Sequence, residues 1–144
     1  MIRRFLLATL LLLFAGCSYI PISGGALEGT EAAVPADWSQ LASISVIQLE
    51  TNPADPYSVK LWVVAMDASL YVHAGDNHTQ WIKNIEQNPE VRVLIGESIY
   101  PLRAVRVQDA AEFKRFSDVY EKKYGMRPRN ENIAEVYVFR LEHR

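Results

Sequence analysis

From Ile44 onward, apolar positions alternate with polar ones in short runs, and six such runs read as β-strands. The first contains Ile44, Val46, Ile47 and Leu49 and ends at Thr51. Asn52-Pro53-Ala54-Asp55-Pro56 then forms a loop, because proline cannot donate to a sheet ladder. The second strand covers 59–66 and turns at Asp67-Ala68-Ser69 into a third over 70–73, together a hairpin. The fourth strand covers 91–95, the fifth 100–107 after a turn at Gly96–Ser98, and the sixth 136–141. Short strands joined by tight turns predict a closed antiparallel barrel.

Two segments change period from two to about 3.6. One helix is predicted from Thr79 to Asn88, with Trp81, Ile82 and Ile85 on one side and Pro89 stopping it. The second opens with Asp109-Ala110-Ala111-Glu112, a capping-box-like start. Phe113, Phe116, Tyr120 and Tyr124 follow at spacings of three and four as one apolar stripe, and Gly125 is the expected C-cap. The fold class is therefore mainly β with two helices, six strands forming the barrel.

The N-terminus has a different pattern. Met1-Ile2-Arg3-Arg4 gives a basic start, Phe5 to Phe14 is almost continuously apolar, and small Ala15 and Gly16 lead into Cys17, the only cysteine. A membrane-spanning helix needs ~20 apolar residues, so this shorter run reads as a secretory signal. Arg3-Arg4 is too little for a twin-arginine signal. Leu13-Phe14-Ala15-Gly16-Cys17 resembles the lipobox of bacterial lipoproteins, with Phe14 where Leu is more usual. That resemblance implies a signal peptide over 1–16, an acylated Cys17 as mature N-terminus and attachment to the cell envelope. Ser18, not being Asp, implies outer-membrane sorting on the periplasmic face in a Gram-negative host. Residues 17–40, with Pro21, Gly24, Gly25, Gly29 and Pro35, read as a flexible tether in which Trp38 alone docks. The globular domain is expected over 41–144.

Charge and chemistry narrow the function by exclusion. The formal charge of −2 becomes more negative once Arg3 and Arg4 are removed, so nothing drives nonspecific nucleic-acid binding. An acylated Cys17 leaves no thiol for disulfides or catalysis. His73, Asp76 and His78 lack a fourth partner and make no metal motif. No nucleophile–base set stands out. The second half, 100–144, is basic and the first half acidic, a balance that suits an anionic ligand, a membrane surface or a dimer contact.

The succession of Leu61-Trp62-Val63-Val64, then Leu70 to Gly75, then Trp81 through Asn88-Pro89 to Val93, closed by Phe139-Arg140-Leu141, resembles the split-barrel flavin-binding family. That family includes pyridoxamine 5′-phosphate oxidases and deazaflavin-dependent reductases. The resemblance covers about 41–141. It implies a six-stranded antiparallel split β-barrel, a homodimer, and FMN or a deazaflavin at the subunit interface. By the same resemblance, His78, Thr79, Trp81 and Lys83 surround the cofactor phosphate, Lys60, Trp62, His73 and Gly75 flank the ring, and Arg103 with Arg106 completes the anion pocket. Apart from the resemblance, Trp81 reads as a core anchor, Thr79 as a helix N-cap and Lys83 as a solvated helix residue. The expected activity is flavin-dependent oxidation or reduction of an unnamed small molecule. The alternative is a cofactor-free envelope lipoprotein using the barrel dimer to bind ligands or as a scaffold.

Overall fold

A computed structural model describes residues 24–144. The expected signal peptide over 1–16 and Cys17 lie outside the described residues. The strands are β1 (Thr30–Glu31), β2 (Val46–Thr51), β3 (Tyr57–Trp62), β4 (Val64–Met66), β5 (Ser69–His73), β6 (Glu90–Ile95), β7 (Ser98–Arg106) and β8 (Val138–Glu142). Helix α1 (Gln80–Gln87) lies between β5 and β6, and α2 (Ala110–Tyr124) between β7 and β8.

The sheet runs β3-β2-β6-β7-β8-β5-β4, antiparallel throughout, with two-residue β1 parallel to β7. Its two end strands, β3 and β4, are consecutive in the chain and separated only by Val63. A flat sheet cannot satisfy that connection, so the sheet curls until its ends meet. The expected six strands thus become seven along this path, because the run 59–66 divides at Val63. Its N–H bonds both the Ser45 carbonyl at 3.2 Å and the Tyr124 hydroxyl at 3.1 Å. Those contacts, rather than any local propensity, set the break.

Inward-facing side chains fill the barrel: Ile47 and Leu49 from β2, Val72 from β5, Val91 and Val93 from β6, Leu102 from β7 and Leu141 from β8. Trp81, Ile82 and Ile85 of α1 close one end. Asn84 is buried there and donates to the Thr51 hydroxyl at 2.9 Å, which ties α1 to β2. A second apolar layer lies outside, where Phe113, Phe116 and Tyr120 of α2 cover Val64, Met66, Tyr71 and Val138. Asp109 accepts the Glu112 amide at 2.7 Å and Gly125 ends α2 with φ +74°, both as predicted.

Part of the stretch read as a tether is held to the sheet. Gly24 exchanges two backbone bonds with Ser58, and Trp38 is buried edge-on against Tyr100. The Leu27 amide donates at 2.7 Å to the buried Glu50, which Arg92 grips in a bidentate pair at 2.7 and 2.9 Å. A Cβ on Gly29 would lie 2.7 Å from the Glu97 carbonyl, so this glycine serves close packing. No helix of the described residues is long and apolar enough to cross a membrane.

Candidate functional site

The end of β3, the end of β5 and the second half of α2 meet at an aromatic crevice. Strand alternation puts Tyr71 and His73 on the outer face of β5, toward α2. The His73 ring stands edge-on to Tyr120 at 4.7 Å and to Phe116 at 5.6 Å. Its Nδ1 accepts the Gly75 amide at 3.2 Å, which leaves the proton of the neutral ring on Nε2. Burial holds the His73 pKa below the ordinary histidine value, so the ring stays neutral near pH 7.

Trp62 forms the rim. It stacks on Tyr124 with centroids 4.7 Å apart and planes within 9°, and lies 6.2 Å from Tyr120. Tyr120 and Tyr124 are themselves 4.8 Å apart, so the four rings make one continuous surface. Burial raises both phenol pKa values, and each keeps its proton. Gly75 adopts φ +58° and nothing lies within 4 Å of where its Cβ would stand, so the backbone here borders open space.

A second group lies at the start of α1. The His78 ring stacks on Tyr137 at 5.2 Å and 17°, and the Arg106 guanidinium sits 4.4 Å from the same ring. Tyr137 also holds the 74–75 loop, donating its N–H to Gly75 and accepting from Ala74. His78 Nε2 lies 2.7 Å from Glu86. Thr79 occupies the N-cap of α1 but its hydroxyl makes no capping bond, so the helix end keeps its affinity for an anion.

The expected site residues therefore divide. Trp62, His73 and Gly75 come together, as do Gly75, His78 and Arg106. Thr79 and Lys83 are exposed on α1, and Lys60 is exposed on the outer face of β3. Arg103 lies on β7 opposite Glu142, 3.8 Å from Glu90. Trp81 is buried in the barrel, edge-on to Phe139, and presents no face to a ligand within one chain. Tyr120, Tyr124 and Tyr137 were not among the expected residues. Tyr120 is buried and Tyr124 packs beside it, so both hold the place in the apolar stripe of α2 that their spacing predicts, and Tyr124 also backs Trp62. Elsewhere, a depression of about 380 Å³ is lined by Glu50, Glu90, Arg92 and Arg144. Its carboxylates are already paired, Glu50 with Arg92 and Glu90 with Arg144 at 2.8 Å.

Residues 57–133, from β3 through α2, match the family model described as F420H(2)-dependent quinone reductase. The chain belongs to this family. The matched span contains both ring groups except Tyr137. Among solved structures, the chain resembles an F420-H2 dependent reductase, with 17% identity, TM-score 0.57, and coverage of 81% of this chain and 100% of that one. An FAD-binding protein from Mesorhizobium loti gives 21% identity and TM-score 0.52, covering 72% and 84%. A structure described as a domain-swapped dimer gives 19% and 0.55, covering 76% and 88%. At these identities the structures show the fold, and the expected split barrel holds. No curated protein matches the sequence.

Proposed function

We propose that this quinone reductase family member is an envelope lipoprotein, acylated at Cys17, that binds a deazaflavin or flavin as a homodimer and reduces a small acceptor. The observation that carries the cofactor reading is the continuous wall of His73, Tyr120, Tyr124 and Trp62 beside the open Gly75 backbone, inside the span that matches the family.

The residues fit a planar ring with an anionic tail. Trp62 is stacked on one face and 45% exposed, so it can cover a second ring. The uncapped start of α1, with His78 and Lys83, offers amides, dipole and charge to a phosphate. Arg106, packed on the same Tyr137 ring as His78, adds a second cation. Lys60 and Arg103 lie apart from this group and would act from the rim or from the second subunit.

When bound, the cofactor supplies hydride transfer. The chain's own part is to orient and exclude. The exposed face of Trp62, backed by Tyr124, fixes the plane of the ring and keeps water from one side of it. Neutral His73 offers Nε2–H as a hydrogen-bond donor, held in that tautomer by the Gly75 amide. No nucleophile is required. The lipobox and the single cysteine support the anchor; the domain-swapped dimer among similar folds supports the homodimer.

Purified protein that carries flavin-like absorbance, or that acquires it saturably on adding a deazaflavin or FMN, agrees with this reading. Colourless protein that binds none of these cofactors sinks it. Mass spectrometry of the mature N-terminus tests the anchor separately.

A further inference from the structure

Three large apolar side chains are exposed among the described residues: Val46 at 46%, Trp62 at 45% and Met126 at 53%. Val46 and Trp62 are direct cross-strand partners on the outer face of β2 and β3. Met126 follows Tyr124, on which Trp62 stacks, by two residues. Single exposed hydrophobics are ordinary, but two paired across neighbouring strands, with a third just past the helix end that Trp62 stacks on, mark a surface made for contact.

We infer that this edge rests on the bilayer, so that side chains of the barrel as well as the lipid hold the domain to the membrane. The inference rests on the acylation of Cys17 proposed above. Its independent support is where the described chain begins. Gly24 is bridged antiparallel to Ser58 on β3, four residues from Trp62, roughly 13 Å along a strand. From Cys17 to Gly24 a fully extended chain reaches roughly 25 Å at most, and a domain of this length is roughly 35 Å across. A bilayer holding Cys17 therefore has the β3 edge, not the opposite side, within reach.

The chemistry of the edge suits headgroups. Tryptophan prefers the membrane interface because its ring is apolar and its N–H polar. Lys60 is exposed on the same face of β3, two residues from Trp62, where its stem can lie along apolar surface and its ammonium meet phosphates. The rim of the crevice would then open at headgroup depth.

The three tryptophans make the test specific, since Trp38 is 1% and Trp81 3% exposed. The full chain carrying its lipid is placed in phosphatidylethanolamine–phosphatidylglycerol vesicles whose acyl chains are brominated near the headgroup. Bromine is expected to quench an emission component that disappears in Trp62→Phe. Val46→Asp combined with Met126→Asp should reduce that quenching by more than half. Equal emission in brominated and plain vesicles overturns the inference, as does quenching that persists in Trp62→Phe. Trp62 shielded by a second copy, seen as doubled mass without quenching, overturns it as well. If mass spectrometry finds Cys17 unmodified, the anchor reading fails on its own. A maleimide phospholipid coupled to this single cysteine then lets the same readings decide the edge.

Discussion

The hydroxyl of Tyr124 closes the barrel corner at Val63. It accepts the Val63 amide at 3.1 Å and shares its proton between the Val63 carbonyl at 2.7 Å and the Ser45 carbonyl at 2.8 Å. Lys123 adds a donor to the Val63 carbonyl at 2.8 Å. Val63 is where the chain leaves one end of the sheet for the other, so its backbone groups cannot all be paired by strands. The last turn of α2 supplies the missing partners and, through the same tyrosine, the stack under Trp62.

Tyr124→Phe keeps the ring and removes the hydroxyl. The Val63 amide then keeps only the Ser45 carbonyl and the Val63 carbonyl only Lys123, at a cost of about 1 kcal/mol. Urea denaturation is expected to show this loss with an unchanged slope. A midpoint equal to wild type contradicts the assigned role.

Glu50→Gln weakens the grip on Arg92 and on the Leu27 amide together. Breaking one partner of a buried pair costs about 3–5 kcal/mol; with Arg92 one third exposed, about 2–3 kcal/mol is expected. The released segment is 24–34, so proteolysis there should accelerate before the barrel unfolds. Uniform protection of 24–34 in the variant argues against this latch.

His73 titrates below the ordinary histidine pKa because burial disfavours its charged ring. Unfolded, it takes a proton as pH falls through ~6.5; folded, it resists. The unfolded state then binds more protons, so stability falls on acidification below that value. His73→Gln should flatten this part of the pH–stability curve, and NMR titration should place the wild-type ring below the ordinary histidine value. A His73 titration at or above the ordinary value contradicts the neutral, Nε2-protonated ring.

The opposite limb belongs to Tyr71. Burial first, and then the Glu112 carboxylate that accepts its hydroxyl at 2.9 Å, push its pKa up to about 12. The unfolded phenol ionises near ~10, so between these values the unfolded state sheds a proton that the folded state keeps. Stability declines as pH rises through that window. Tyr71→Phe should remove part of the decline, measured by thermal melts from pH 9 to 12. An identical alkaline limb in the variant refutes the coupling.

Local chemistry made much of this fold readable. Asp109 with Glu112 and Gly125 bound α2, Thr79 and Asn88-Pro89 bound α1, and the hairpin at Asp67 carries φ +54°. The break at Val63 was not readable, since 59–66 is evenly apolar and the deciding hydroxyl lies 61 residues away. The packing of 24–34 was hidden for a related reason. Its glycines look like a flexible leader, yet Gly29 is small because Glu97 is close, and Leu27 is held by a carboxylate 23 positions on. The stripe of Phe113, Phe116, Tyr120 and Tyr124 was legible from its spacing and packs over β4 and β5. That Tyr124 also lies under Trp62 was not legible, because spacing within one helix carries no information about a strand 62 positions back.

The most direct test of the central claim is cofactor binding read at Trp62, the exposed tryptophan of the three. The purified chain is titrated with F420 and with FMN while tryptophan emission is followed. Saturable quenching is expected for at least one of them, with affinity falling at least tenfold in Trp62→Ala and in His73→Ala, a loss of about 1.4 kcal/mol or more. Gly75→Asn, a side chain that tolerates the positive φ of this position and fills the open space beside Trp62 and His73, should weaken binding similarly. Emission that stays constant with both cofactors, or binding that all three variants leave intact, contradicts a cofactor site at this crevice.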